Sequence, residues 1–174
     1  MRQIISALRT TFLLFSLSLL LPAQEAPTLH ISGVGAQKAD FSVKDLAQMP
    51  RLSVDVTEPH RAEVEHYEGV RLSDLLAKVG ASLGGQLRGK AMATYVLAQA
   101  SDGYAVVYSL AELDPAMTDN RIIVADRMNG KALDAKEGPF KIVVPGDKRP
   151  ARWIRMLTSL QVENAFNPSE SSPR

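Results

Sequence analysis

One stretch, Ile122 to Trp153, constrains the fold of this chain more than any other. Two apolar runs, Ile122-Ile123-Val124 and Phe140-Lys141-Ile142-Val143-Val144, lie either side of Asn129-Gly130. Asn-Gly supplies the two positive-φ positions of a type I′ turn, so the segment predicts a hairpin near residues 129–130. Pro145-Gly146 stops the second run, because proline has no N–H to give to a ladder and glycine accepts a sharp bend. A basic loop follows, carrying Lys148, Arg149, Arg152 and Arg155 around Trp153, the single tryptophan of the chain. A strand that ends in such a loop offers a candidate anion site at Lys148, Arg149 and Arg152, with Trp153 beside them. Arginine suits phosphate because its planar fork can donate two parallel hydrogen bonds. The bland reading of the same residues is a solvated loop, with Trp153 as packing.

The rest of the chain reads as strands with a few short helices. Arg2 and Arg9 precede the apolar run Thr11–Leu21, and Pro22-Ala23-Gln24 follows, the pattern of a secretory signal peptide over residues 1–23. Periplasmic or secreted localisation is therefore expected, with membrane contact only through an uncleaved signal segment. Thr28 to Val34 reads as a strand, and Ser42 is placed to cap a short helix that stops at Pro50. Arg51 to Thr57 alternates strictly, Ala62 to Tyr67 returns as its partner, and Glu68 to Leu72 is expected to break that partner. Leu72, Leu75, Leu76 and Val79 mark the buried face of a helix that ends at Gly80. Further strands are expected at Met92–Ala100, Tyr104–Ser109 and Ser159–Ala165, with one helical turn at Ser109–Leu113. There is no regular βαβ alternation, which predicts an α+β domain over residues 24–166 and a disordered polar tail over 167–174.

Composition removes several classes of function. The chain contains no cysteine, so thiolate nucleophiles, Fe–S clusters, cysteine-based zinc sites and disulfides are all excluded. Loss of Arg2 and Arg9 takes the formal net charge from +1 to −1, which argues against nucleic acid as a partner. His60 and His66, with Glu58, Glu63 and Glu65, form the one cluster with donor chemistry, but they lack metal-ligand spacing. No catalytic residue and no metal ligand is assigned.

Three segments in order resemble a known family. Tyr67-Glu68-Gly69-Val70 with Leu72, Leu75, Leu76 and Gly80 resembles its YxGVxLxDLLxxxG segment, and Ser101-Asp102-Gly103-Tyr104 resembles its SxDGY hairpin. Asn129-Gly130 with Leu133, then Gly138 to Gly146 and Arg152-Trp153, resembles its NGxPL…VVPG…KW run. The family is the oxidoreductase molybdopterin-binding domain, of sulfite-oxidase-like fold, and the resemblance spans roughly residues 28–165. It implies mixed, mostly antiparallel sheets with a few short helices, and a groove that holds the pterin by backbone and basic side chains. It also implies one cysteine on molybdenum, located between the Arg51–Thr57 strand and the YxGV segment. Residues 56–66 here contain none, and the hydroxyl of Thr57 is a poor replacement for soft sulfur. The expectation is a domain that binds molybdopterin or another small anionic ligand, or a protein partner, without turnover of its own and without protein-ligated molybdenum. Two alternatives stay open: an active molybdenum-cofactor oxidoreductase with an unusual or absent protein metal ligand, and a structural or interaction domain with an empty groove.

Overall fold

A computed structural model describes residues 26–57 and 63–166. The expected signal segment, the tail beyond residue 166, and Glu58 and His60 lie outside the described residues.

Among the described residues, ten strands form two sheets. The first sheet contains β1 (Thr28–Gly33), β2 (Ala39–Ser42), β5 (Thr94–Ala100), β6 (Ala105–Ser109) and β10 (Leu157–Asn164), in the order β2-β1-β10-β5-β6. The second contains β3 (Arg51–Thr57), β4 (Val64–Arg71), β7 (Ile123–Met128) and β8 (Lys131–Ala132), with β9 (Lys141–Val143) also pairing with β7. Only β1 and β10 pair in parallel; every other described pairing is antiparallel. Three short α-helices intervene among the described residues: α1 (Val43–Ala47), α2 (Leu72–Lys78) and α3 (Leu110–Leu113). This is the mixed, mostly antiparallel α+β architecture that the element order predicts. No helix among the described residues is long and apolar enough to cross a membrane.

Local chemistry places the helices as the sequence suggests. Ser42 and Asp45 make a reciprocal capping box at α1, and Ser109 and Glu112 make another at α3, so orphan N–H groups at each start are met. Gly80 follows α2 at φ +87°, and Leu72, Leu75 and Leu76 are fully buried. They join a single hydrophobic core with Leu29 and Ile31 of β1, Val54 and Val56 of β3, and Leu160 and Val162 of β10. Two expectations change. Met92 and Ala93 belong to a 3₁₀ turn ahead of β5. β4 also continues through Glu68–Arg71, where the Glu-Gly-Val sequence suggests a break.

The reason is a bulge opposite that segment. Glu68 pairs with Arg127 and Gly69 with Ala125, so Asp126 of β7 has no partner residue across the ladder. A Cβ on Gly69 would lie 2.1 Å from the carbonyl oxygen of Val124, so β4 and β7 can approach this closely only at glycine. The Asp126 carboxylate is buried and takes two hydrogen bonds from Arg51, at 2.9 and 2.5 Å. Those bonds outweigh partial burial and hold the Arg51 guanidinium pKa above its ordinary value.

The hairpin at Asn129-Gly130 forms with φ of +51° and +75° at the two turn residues. Its returning strand is split. β8 pairs with the end of β7, whereas β9 pairs with its beginning, and residues 133–140 leave the sheet between them. That excursion positions the candidate site.

Candidate functional site

The structure separates the four candidate residues of the basic loop. Lys148 and Arg149 are exposed and make no hydrogen bond or ion pair among the described residues. Arg152 is committed internally. Its Nε and Nη2 donate to the Asp147 carboxylate at 3.0 and 2.7 Å, its Nη1 donates to Glu112 Oε2 at 2.9 Å, and the guanidinium lies 5.5 Å from the Tyr108 ring centre. Hydrogen bonding to Asp147 outweighs partial burial and drives its pKa further above the usual arginine value. The loop is also pinned through its backbone. Tyr104 donates its hydroxyl to the carbonyl of Ala151 at 2.6 Å, and Tyr108 donates to the carbonyl of Arg152. Trp153 is buried, and its indole N–H donates to the carbonyl of Val144 at 3.0 Å.

Trp153 is also one wall of a cavity of about 530 Å³, lined further by Tyr67, Met128, Asp134, Lys136, Glu137, Lys141, Pro150 and Arg155. Its volume falls within the range of small-molecule sites, about 300–1,000 Å³. Each side chain arrives for a structural reason. Tyr67 points inward from β4, Met128 ends β7, Lys141 begins β9, and the 133–140 excursion supplies Asp134, Lys136 and Glu137. That excursion is tied down by Asp134, whose Oδ1 accepts the N–H groups of Lys136 and Glu137. A smaller cavity of about 220 Å³, lined by Asp102, Tyr104 and Ala151, shares Pro150, Trp153 and Arg155 with the larger one.

A chain of buried polar groups lies beneath the larger cavity. Tyr67 donates its hydroxyl to Glu65 at 2.9 Å, Lys141 Nζ donates to the Tyr67 oxygen at 2.9 Å, and Nζ lies 2.5 Å from Glu137 Oε2. Glu65, Tyr67 and Lys141 are each at most 5% exposed. The ammonium also sits 4.7 Å from the Tyr67 ring centre and 5.5 Å from that of Trp153, and the two rings meet edge to face at 6.2 Å. A buried lysine persists when its charge is paired and hydrogen-bonded, and this one is paired with Glu137 and donates to Tyr67. The floor of the cavity therefore sets an ammonium, paired with Glu137, between two aromatic rings, with Lys136 and Arg155 at its rim.

Sequence reasoning named Trp153 as a site residue, placed Arg155 in the same basic loop, and gave no site role to Tyr67, Glu65, Glu137 or Lys141. Lys141 carried a signal, since one charged residue inside the apolar run Phe140–Val144 must find a partner once buried. Glu65 and Tyr67 alternate on one strand face, but nothing local shows that a glutamate rather than the neighbouring Val64 turns inward. Glu137 lies in a polar loop with no periodicity to read.

Comparison with known proteins fixes the family. The model of the oxidoreductase molybdopterin binding domain matches residues 20–170, most of the chain. The chain belongs to this family. Among solved structures it is similar to the sulfane dehydrogenase SoxCD from Paracoccus pantotrophus, with a TM-score of 0.60 and 21% identity. That match covers 78% of this chain and 38% of the SoxCD chain, so it speaks to the shared fold, and this chain spans well under half of its relative. No curated protein sequence matches.

The residues present fit one half of the family's cofactor and not the other. With no cysteine, the chain cannot offer molybdenum the thiolate ligand that the family supplies. Among the described residues no group of three or more histidine, aspartate or glutamate side chains could hold a metal instead. His66, from the donor cluster noted in the sequence, is exposed and bonds to Asp55 at 2.6 Å. The organic part is different: a cavity with aromatic walls and a buried ammonium is chemically suited to a ring system bearing an anionic group.

Proposed function

We propose that this domain is an exported binding module that holds a small, ring-bearing anionic ligand of the molybdopterin type, without redox turnover of its own. One observation carries the reading: a buried ammonium, Lys141, lies between the rings of Tyr67 and Trp153 under a ligand-sized cavity, in a chain with no thiolate to hold a metal. Flat heterocycles pack well on aromatic walls, and an ammonium in a low-dielectric site attracts an anion more strongly than it would in water. Lys136 and Arg155 at the rim, with the exposed Lys148 and Arg149 on the adjoining loop, supply the field that draws an anion in.

Family membership favours a second reading, a molybdenum-dependent oxidoreductase whose metal has no protein sulfur ligand. One preparation separates the two. The protein is produced in a host that makes and exports molybdenum cofactor, and pterin fluorescence and molybdenum are measured on the purified chain. Pterin without stoichiometric molybdenum is the expected result. Stoichiometric molybdenum would overturn the binding-only reading, and absence of both would favour a domain that works through a protein partner.

A further inference from the structure

We infer that Glu137 occupies an anion subsite belonging to the ligand: its carboxylate stands in for an incoming oxyanion between Lys141 and Arg155, and binding requires its displacement. The inference deepens the reading of the cavity as a ligand site and rests on it. Two cations from different parts of the chain converge on this one side chain. Lys141 Nζ lies 2.5 Å from Oε2, and Arg155 Nη1 lies 3.9 Å from Oε1. Lys141 is 3% exposed, Glu137 24% and Arg155 52%, so the carboxylate sits between a buried cation and a wet one. That is the position an entering phosphate or carboxylate group would take.

Three features make the side chain replaceable. The ammonium is the one contact of Oε2 among the described residues, so no second partner has to be broken. Lys141 keeps Tyr67, and through it Glu65, when Glu137 leaves, so displacement does not strand a buried cation. The Glu137 backbone is fixed: its N–H meets Asp134 and its carbonyl accepts the N–H of Met156 at 2.9 Å. Displacement therefore needs rotation of one side chain and no movement of the 133–140 segment. A resident carboxylate also acts as a filter, since a neutral ring compound offers Lys141 no charge in exchange.

Inorganic phosphate is the probe. It is titrated into the wild-type protein and into Glu137→Gln, with the Trp153 indole N–H resonance and the thermal midpoint as readouts. Glu137→Gln is expected to bind phosphate at least tenfold more tightly than wild type, and adding Arg155→Gln is expected to remove the gain. Equal affinity in wild type and Glu137→Gln overturns the inference, as does a gain that survives Arg155→Gln. Should Glu137→Gln fail to fold, Glu137→Asp withdraws the carboxylate by one methylene, and a smaller gain in the same direction is expected; no gain there also overturns it. Retained pterin with no effect of Glu137 substitution would defeat this inference alone. Tighter phosphate binding without any pterin would defeat only the identity of the ligand.

Discussion

Replacing Gly69 by alanine tests the packing on which the second sheet depends. The added Cβ would stand 2.1 Å from the Val124 carbonyl oxygen and 2.6 Å from the Ala125 Cα, both main-chain atoms that cannot rotate away. A carbon–oxygen contact settles near about 3.3 Å, so the two strands must part by roughly 1 Å. Overpacking a fitted site costs typically about 1–3 kcal/mol, and a clash against backbone belongs at the upper end. Alanine recovers about 0.4–1 kcal/mol by restricting the unfolded chain. The net loss is then about 2–2.6 kcal/mol, a fall in midpoint of roughly 4–10 °C for a domain of this size. Thermal and urea unfolding followed by circular dichroism measure it. Gly85→Ala is the control: nothing lies within 4 Å of its added Cβ, and it is expected to leave stability unchanged or slightly raised. A Gly69→Ala midpoint within about 2 °C of wild type would refute the close-approach argument.

Two further outcomes follow from the residues around the basic loop. Burial pushes the Tyr108 phenol well above its ordinary value of 10.0, so the native state holds this proton after the unfolded chain has released it. Its contribution is fully present below about pH 10 and is lost as pH rises above that, and an alkaline denaturation series should show a shallower decline for Tyr108→Phe than for wild type. Arg152→Gln is expected to destabilise by about 1 kcal/mol, since both its carboxylate partners lose their cation at a partly exposed site, whereas Arg149→Gln should leave the urea midpoint unchanged. Equal midpoints for the two variants would show that the Asp147–Arg152–Glu112 group contributes nothing to folding.

Much of the scaffold was legible because it is written in local chemistry. The alternation of Arg51–Thr57 needs only period two, and the Asn129-Gly130 hairpin needs only two positive-φ residues. The capping boxes at Ser42 and Ser109 act within four residues. The strand through Glu68–Arg71 was harder, because its glycine answers to β7, more than fifty positions away in the chain, and not to its own neighbours.

The sequence by itself determined the α+β class, the family, and the lack of any thiolate for a metal, since each depends on residue type and order alone. Tertiary structure decided the site. In one dimension Arg152 is one charge of a basic loop and Lys141 a lone charge in an apolar run, yet folding gives the first to Asp147 and Glu112 and sets the second beneath a cavity, between Tyr67 and Glu137. The physical reason is that a charge is defined by its distance to other charges and to water. Those distances are set by strands that meet across the sheet, not by neighbours along the chain.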